Sequence, residues 1–103
     1  MADPMRIRAT STPDGVDVRV LMSHEMETGQ RRDAAGQVVP AHFIQTVKVS
    51  CKGKTVLEAL WGPAVSKNPY LQFKFKGCDK GEELTVTWTD NKGESRTDKV
   101  VIA

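Results

Sequence analysis

Leu84-Thr85-Val86-Thr87-Trp88-Thr89, followed by Asp90-Asn91-Lys92-Gly93, decides the fold. Apolar residues at every second position put Leu84, Val86 and Trp88 on one face of an extended strand, with threonines on the other. Asp-Asn-Lys-Gly then supplies residues that tolerate a reversal of the chain. A last strand through Val100 and Ile102 completes a hairpin.

The same period of two runs outward from this hairpin. Met5, Ile7 and Ala9 alternate with Arg6, Arg8 and Thr10, and the turn Pro13-Asp14-Gly15 leads to Val16, Val18, Val20 and Met22. Phe43, Val47, Val49 and Cys51 share one parity, which Gln45 interrupts. After Lys52-Gly53 come Leu57, Ala59 and Trp61. Leu71, Phe73 and Phe75 alternate with Gln72, Lys74 and Lys76. Seven half-buried strands without a useful helical stretch predict an all-β fold, an immunoglobulin-like antiparallel sandwich forming a single domain over 1–103. The likeness is architectural only, because Cys78 falls in a loop and not on the sixth strand.

Composition narrows the function. With 103 residues, 39% hydrophobic and 27% charged, the chain has enough apolar material for a core. Fifteen Lys and Arg against thirteen Asp and Glu, interspersed, give a net charge of +2. That balance favours neither nucleic acid nor a membrane surface as partner. Met1-Ala2-Asp3-Pro4-Met5-Arg6 does not read as the start of a cleavable signal, and Arg31-Arg32 is not followed by a hydrophobic stretch. Taken alone, these features predict a soluble cytoplasmic protein.

Two connections are longer than a turn requires. Residues 23–40 span eighteen positions, and residues 62–69 hold two prolines and a glycine. A loop beyond about 12–15 residues in a compact domain is commonly functional or disordered. If the strands alternate in direction, both segments share one end with the Asn91 turn. The other end holds the turns at Pro13 and Gly53 and the loop 77–83. One end is elaborated, and loops on a rigid scaffold are where binding residues concentrate.

His24 and His42 bracket the long loop, with Glu25, Glu27 and Asp33 between them. Their spacing matches no metal motif, and no nucleophile accompanies them, so loop packing or an interface is the expected role. No cofactor or metal is expected, and no enzymatic activity. Cys51 and Cys78 both fall at the plain end. Two free thiols, an internal staple and a bond to a partner all remain open; the staple requires the Cα atoms to approach within about 7 Å. Met22 and Met26 flank the loop entry, where they suit packing beneath the loop or a partner's contours equally well.

A nucleic-acid-binding β-domain is the rival reading, suggested by Tyr70-Leu71-Gln72-Phe73-Lys74-Phe75-Lys76-Gly77. Stacking sheets need aromatic and basic side chains on one exposed face. Alternation instead sends the two phenylalanines to one side and the two lysines to the other. A core strand is the simpler account.

Leu21-Met22-Ser23-His24-Glu25-Met26-Glu27-Thr28-Gly29-Gln30-Arg31-Arg32-Asp33, with Pro40-Ala41-His42-Phe43-Ile44, resembles the Z-subunit (SoxZ) family of the sulfur-oxidation carrier. So does the run from Trp61-Gly62-Pro63-Ala64-Val65-Ser66-Lys67-Asn68-Pro69 through Tyr70 to Gly77, and Thr87-Trp88-Thr89-Asp90-Asn91-Lys92-Gly93 continues the likeness. The resemblance implies an immunoglobulin-like subunit that pairs with SoxY, whose C-terminal arm cysteine carries thiosulfate-derived sulfur. It further implies transient contacts with the haem-containing SoxAX and the SoxB hydrolase, and a periplasmic location reached by co-export with the partner. An oxidising compartment makes an internal or intersubunit disulfide possible chemistry for Cys51 and Cys78. The expected partner-interface residues are His24, Met26, Phe43, Pro63, Asn68 and Tyr70, which match the family blocks in or beside the elaborated loops. Separated from its partner, such a subunit would expose its interface and tend to self-associate.

Overall fold

The computed structural model describes residues 3–103, with strands β1 (Arg6–Thr12), β2 (Gly15–Leu21), β3 (Ile44–Cys51), β4 (Lys54–Leu60), β5 (Tyr70–Phe75), β6 (Glu83–Asp90) and β7 (Ser95–Val101). They form two antiparallel sheets, one ordered β1-β2-β5 and the other β4-β3-β6-β7. This is the expected immunoglobulin-like sandwich. No helix is long and apolar enough to cross a membrane among the described residues.

The alternation seen in sequence becomes the division between core and surface. Val16, Val18 and Val20 of β2 face Val47 and Val49 of β3 and Leu84, Val86 and Trp88 of β6 within one buried cluster. Each of these side chains is fully buried. At about 1.5–3 kcal/mol for each such side chain, this cluster is the main source of stability. Phe73 and Phe75 pair with Val18 and Val16 across the β2–β5 ladder, so they turn toward the core as their parity requires.

Three boundaries differ from expectation. Phe43 precedes β3, and Ile44 is the buried residue at its start. The ladder to β6 shifts register between Ile44 and Thr46, which lets Ile44 and Val47 both point inward although their parities differ. The Gln45 interruption is this bulge. Trp61 lies just beyond β4, its amide donating to the Gln45 carbonyl at 2.8 Å. Ile102 follows β7 but is 1% exposed, and the chain end pairs with β1 through Ala103 N–H to Ala9 O at 2.9 Å.

The principal extents are 53 × 21 × 20 Å. A strand of eight residues covers only about 26 Å. The loops supply the remaining length, and the larger ones gather at a single end.

Candidate functional site

The two irregular loops are knit together by their own backbones. Met22 N–H donates to Pro69 O at 2.9 Å, and Asn68 N–H donates to His24 O at 2.9 Å. Asn68 Oδ1 accepts His24 N–H at 3.0 Å. The long loop also closes on itself. Glu27 and His42 exchange backbone hydrogen bonds, and Asp33 Oδ1 accepts from the amides of Ala35 and Gln37 at 2.9 and 3.0 Å. The Arg31 guanidinium donates to both carboxylate oxygens of Glu27 and thereby holds that carboxyl below its ordinary value.

At the centre lies Asp90, the last residue of β6, whose side chain is fully buried. Its Oδ2 accepts from His24 Nε2 at 3.0 Å and from His42 Nε2 at 2.7 Å. Its Oδ1 accepts from the amides of Lys92 and Glu94 at 3.0 and 2.9 Å. A buried carboxylate is tolerated only when its acceptor sites are filled, and here four donors converge on it. Burial pushes the Asp90 carboxyl up, but the bonds from His24, His42 and the two amides outweigh that effect and hold it below the ordinary aspartate value. His24 stacks edge-on against Trp88 at 5.0 Å and against His42 at 4.5 Å.

His24, His42 and Asp90 are metal-ligand types, and their ligating atoms lie within 4.8 Å of one another. Proton placement decides against that chemistry. His24 Nδ1 accepts the Met26 N–H at 3.0 Å, so the ring proton sits on Nε2 and faces Asp90. Ligation through Nε2 would move that proton to Nδ1, against another donor. The cluster works as a latch: one carboxylate ties both ends of the 23–40 loop to the end of the second sheet.

Asn91 reinforces the latch. Its Oδ1 accepts Phe43 N–H at 2.8 Å and its Nδ2 donates to Ala41 O at 2.8 Å. Met26 has a φ of 51°, an uncommon conformation for this residue, and the hydrogen bond its N–H donates to His24 Nδ1, together with its burial, holds it there.

The expected interface residues fall into two groups. His24 and Met26 are buried at 7% and 5% exposure and hold the loop from within. Phe43 is half-buried, and Asn68 is exposed but spends its polar groups on His24. Pro63 is exposed, and Tyr70 stands out at 56% exposure. Asp90 and Asn91 were absent from the sequence-based set because they read as turn residues. A signal for Asp90 was present in its parity: it follows Leu84, Val86 and Trp88 on the inward face of β6.

At the opposite end Cys51 and Cys78 are bonded to each other, with Cα atoms 6.8 Å apart. These are the only two cysteines in the sequence.

Fold and site together define a class: an immunoglobulin-like sandwich with an ordered, histidine-latched loop cluster at one end and a disulfide at the other. Within that class the sequence is specific. Residues 5–101 match the family described as “Sulphur oxidation protein SoxZ”, and the chain belongs to that family. The family takes part in sulfur oxidation. A comparison with curated proteins finds no match.

Proposed function

We propose that this chain is the non-catalytic scaffold subunit of a heterodimeric sulfur carrier. It pairs with a Y subunit whose C-terminal arm cysteine carries the sulfur during thiosulfate oxidation. The observation that carries this reading is the disulfide. Covalent sulfur carriage needs a thiolate, and both cysteines of this sequence are consumed by the Cys51–Cys78 bond. The reactive sulfur therefore belongs on another polypeptide. The latched loop end supports the same reading, since a fixed rim suits holding or presenting a mobile segment more than performing chemistry.

The disulfide also supports a periplasmic location, where such bonds persist, with export alongside the signal-bearing partner. SoxAX and SoxB are the enzymes this carrier would meet in turn.

Mass spectrometry of the reconstituted pair after loading with thiosulfate tests the proposal. The added mass is expected on the Y subunit alone. An adduct on this chain would end the reading, and so would failure of the two chains to co-purify.

A further inference from the structure

The outer face of the β1-β2-β5 sheet carries a charge pattern that the scaffold reading does not use. The ladder sets Arg6 beside Leu21 beside Tyr70, then Arg8 beside Arg19 beside Gln72, then Thr10 beside Asp17 beside Lys74. Four cations thus share a face with one carboxylate. Asp17 is already engaged by Arg19 at 3.3 Å and by Gln72 at 3.4 Å. Arg6, Arg8 and Lys74 form no ion pair among the described residues. The whole chain carries a net charge of only +2, so this sheet face holds more than the entire excess.

The face has an apolar centre as well. Leu21 and Tyr70 are 40% and 56% exposed and adjoin in register. With Arg6, Ile7, Arg8 and Arg19 they line a recess of about 270 Å³. Arginine and tyrosine around a small apolar pocket is the composition of protein-interface hot spots.

We infer that this face docks an acidic protein segment, with a bulky apolar side chain of the partner entering the Leu21–Tyr70 recess and flanking carboxylates meeting Arg6, Arg8 and Arg19. Charge complementarity selects the occupant: three unpaired cations repel a basic partner and steer an acidic one. A nucleic acid fits less well. Tyr70 is the only aromatic residue on this face, whereas Phe73 and Phe75 turn to the core side, so no row of stacking rings accompanies the cations. The inference stands apart from the scaffold reading, because it requires neither a sulfur carrier nor a particular subunit. It places a second contact surface beside the loop end, since Leu21 and Tyr70 each adjoin one of the two loops.

The test is an NMR titration of the isotope-labelled chain with a short synthetic peptide in which one leucine is flanked on both sides by glutamates. Shifts are expected at Arg6, Arg8, Arg19, Leu21, Tyr70 and Lys74, and they should vanish at ~1 M salt, where the screening length is about 3 Å. The double variant R8E/R19E should weaken binding by roughly tenfold or more, whereas K48E/K99E on the other sheet should leave it unchanged. Replacing the peptide's leucine with alanine should weaken it too. Unperturbed spectra, shifts centred elsewhere, or equal binding by R8E/R19E would overturn the inference. Stronger binding of a single-stranded oligonucleotide at the same residues would overturn it in favour of nucleic acid.

Discussion

Replacing Asp90 with asparagine keeps the side-chain volume and removes the charge. The new amide nitrogen would face either the two histidine donors or the two backbone donors, because every acceptor site of Asp90 is in use. A buried donor left facing another donor costs about 1–3 kcal/mol, more where charge is involved, so D90N should destabilise the protein by about 3 kcal/mol in urea unfolding. The pH dependence carries a sign. The folded value of Asp90 is depressed, so its contribution is fully present above the unfolded value of about 3.9 and fades as pH falls through the folded one. The gap between wild type and D90N should therefore close in acid. A gap that stays constant from neutral pH down to pH ~2 would show that the carboxylate is not the anchor. Only half of this centre was legible in the sequence. The two histidines stood out by bracketing the long loop, but the residue that joins them lies 48 positions beyond His42. Its inward parity on β6 was hidden by turn-forming neighbours.

At the scale of elements, the first hairpin depends on one glycine. Gly15 has a φ of +133°, and a Cβ there would lie 2.6 Å from the Phe75 carbonyl oxygen. G15A should cost about 3 kcal/mol through combined strain and collision with the neighbouring strand. Gly36, at φ +80° with open space around it, should lose only about 1 kcal/mol on the same change. Chemical unfolding of the two variants gives the comparison, and equal losses would refute the close approach of β2 and β5. The disulfide acts on the loops of the other end. Cys51 and Cys78 lie 27 residues apart, so C51S/C78S should lose about 3.5 kcal/mol if chain entropy dominates. An unchanged unfolding midpoint after reduction would show that the bond adds nothing to the protein's stability. Strands were readable because a period of two reports directly which side chains face inward. The β2–β5 pairing was not, since it joins residues about fifty positions apart, from Leu21 with Tyr70 to Val16 with Phe75, and no local pattern encodes it. The bulge at Gln45 appeared in sequence only as a broken parity.

For the molecule as a whole, the question is whether the loop end and the sandwich unfold as one body. The valine core of β2, β3 and β6 is fully buried, whereas the loop end is held by hydrogen bonds, of which those at its centre converge on the Asp90 carboxylate. Those two kinds of support respond differently to a local lesion. Regions held by few buried apolar contacts open with less free energy than the core. In D90N, hydrogen exchange should therefore accelerate at the amides of Asn68, Glu27 and His42, which bond across and within the two loops. The amides of Val18, Val49 and Val86 should accelerate less, only by the factor that the shift in global stability sets. Acceleration by the same factor at every amide would mean that the latch belongs to the sandwich's single cooperative unit. Selective acceleration instead makes the loop end a separately fastened rim, one that a partner can tighten by contact without repacking the valine core.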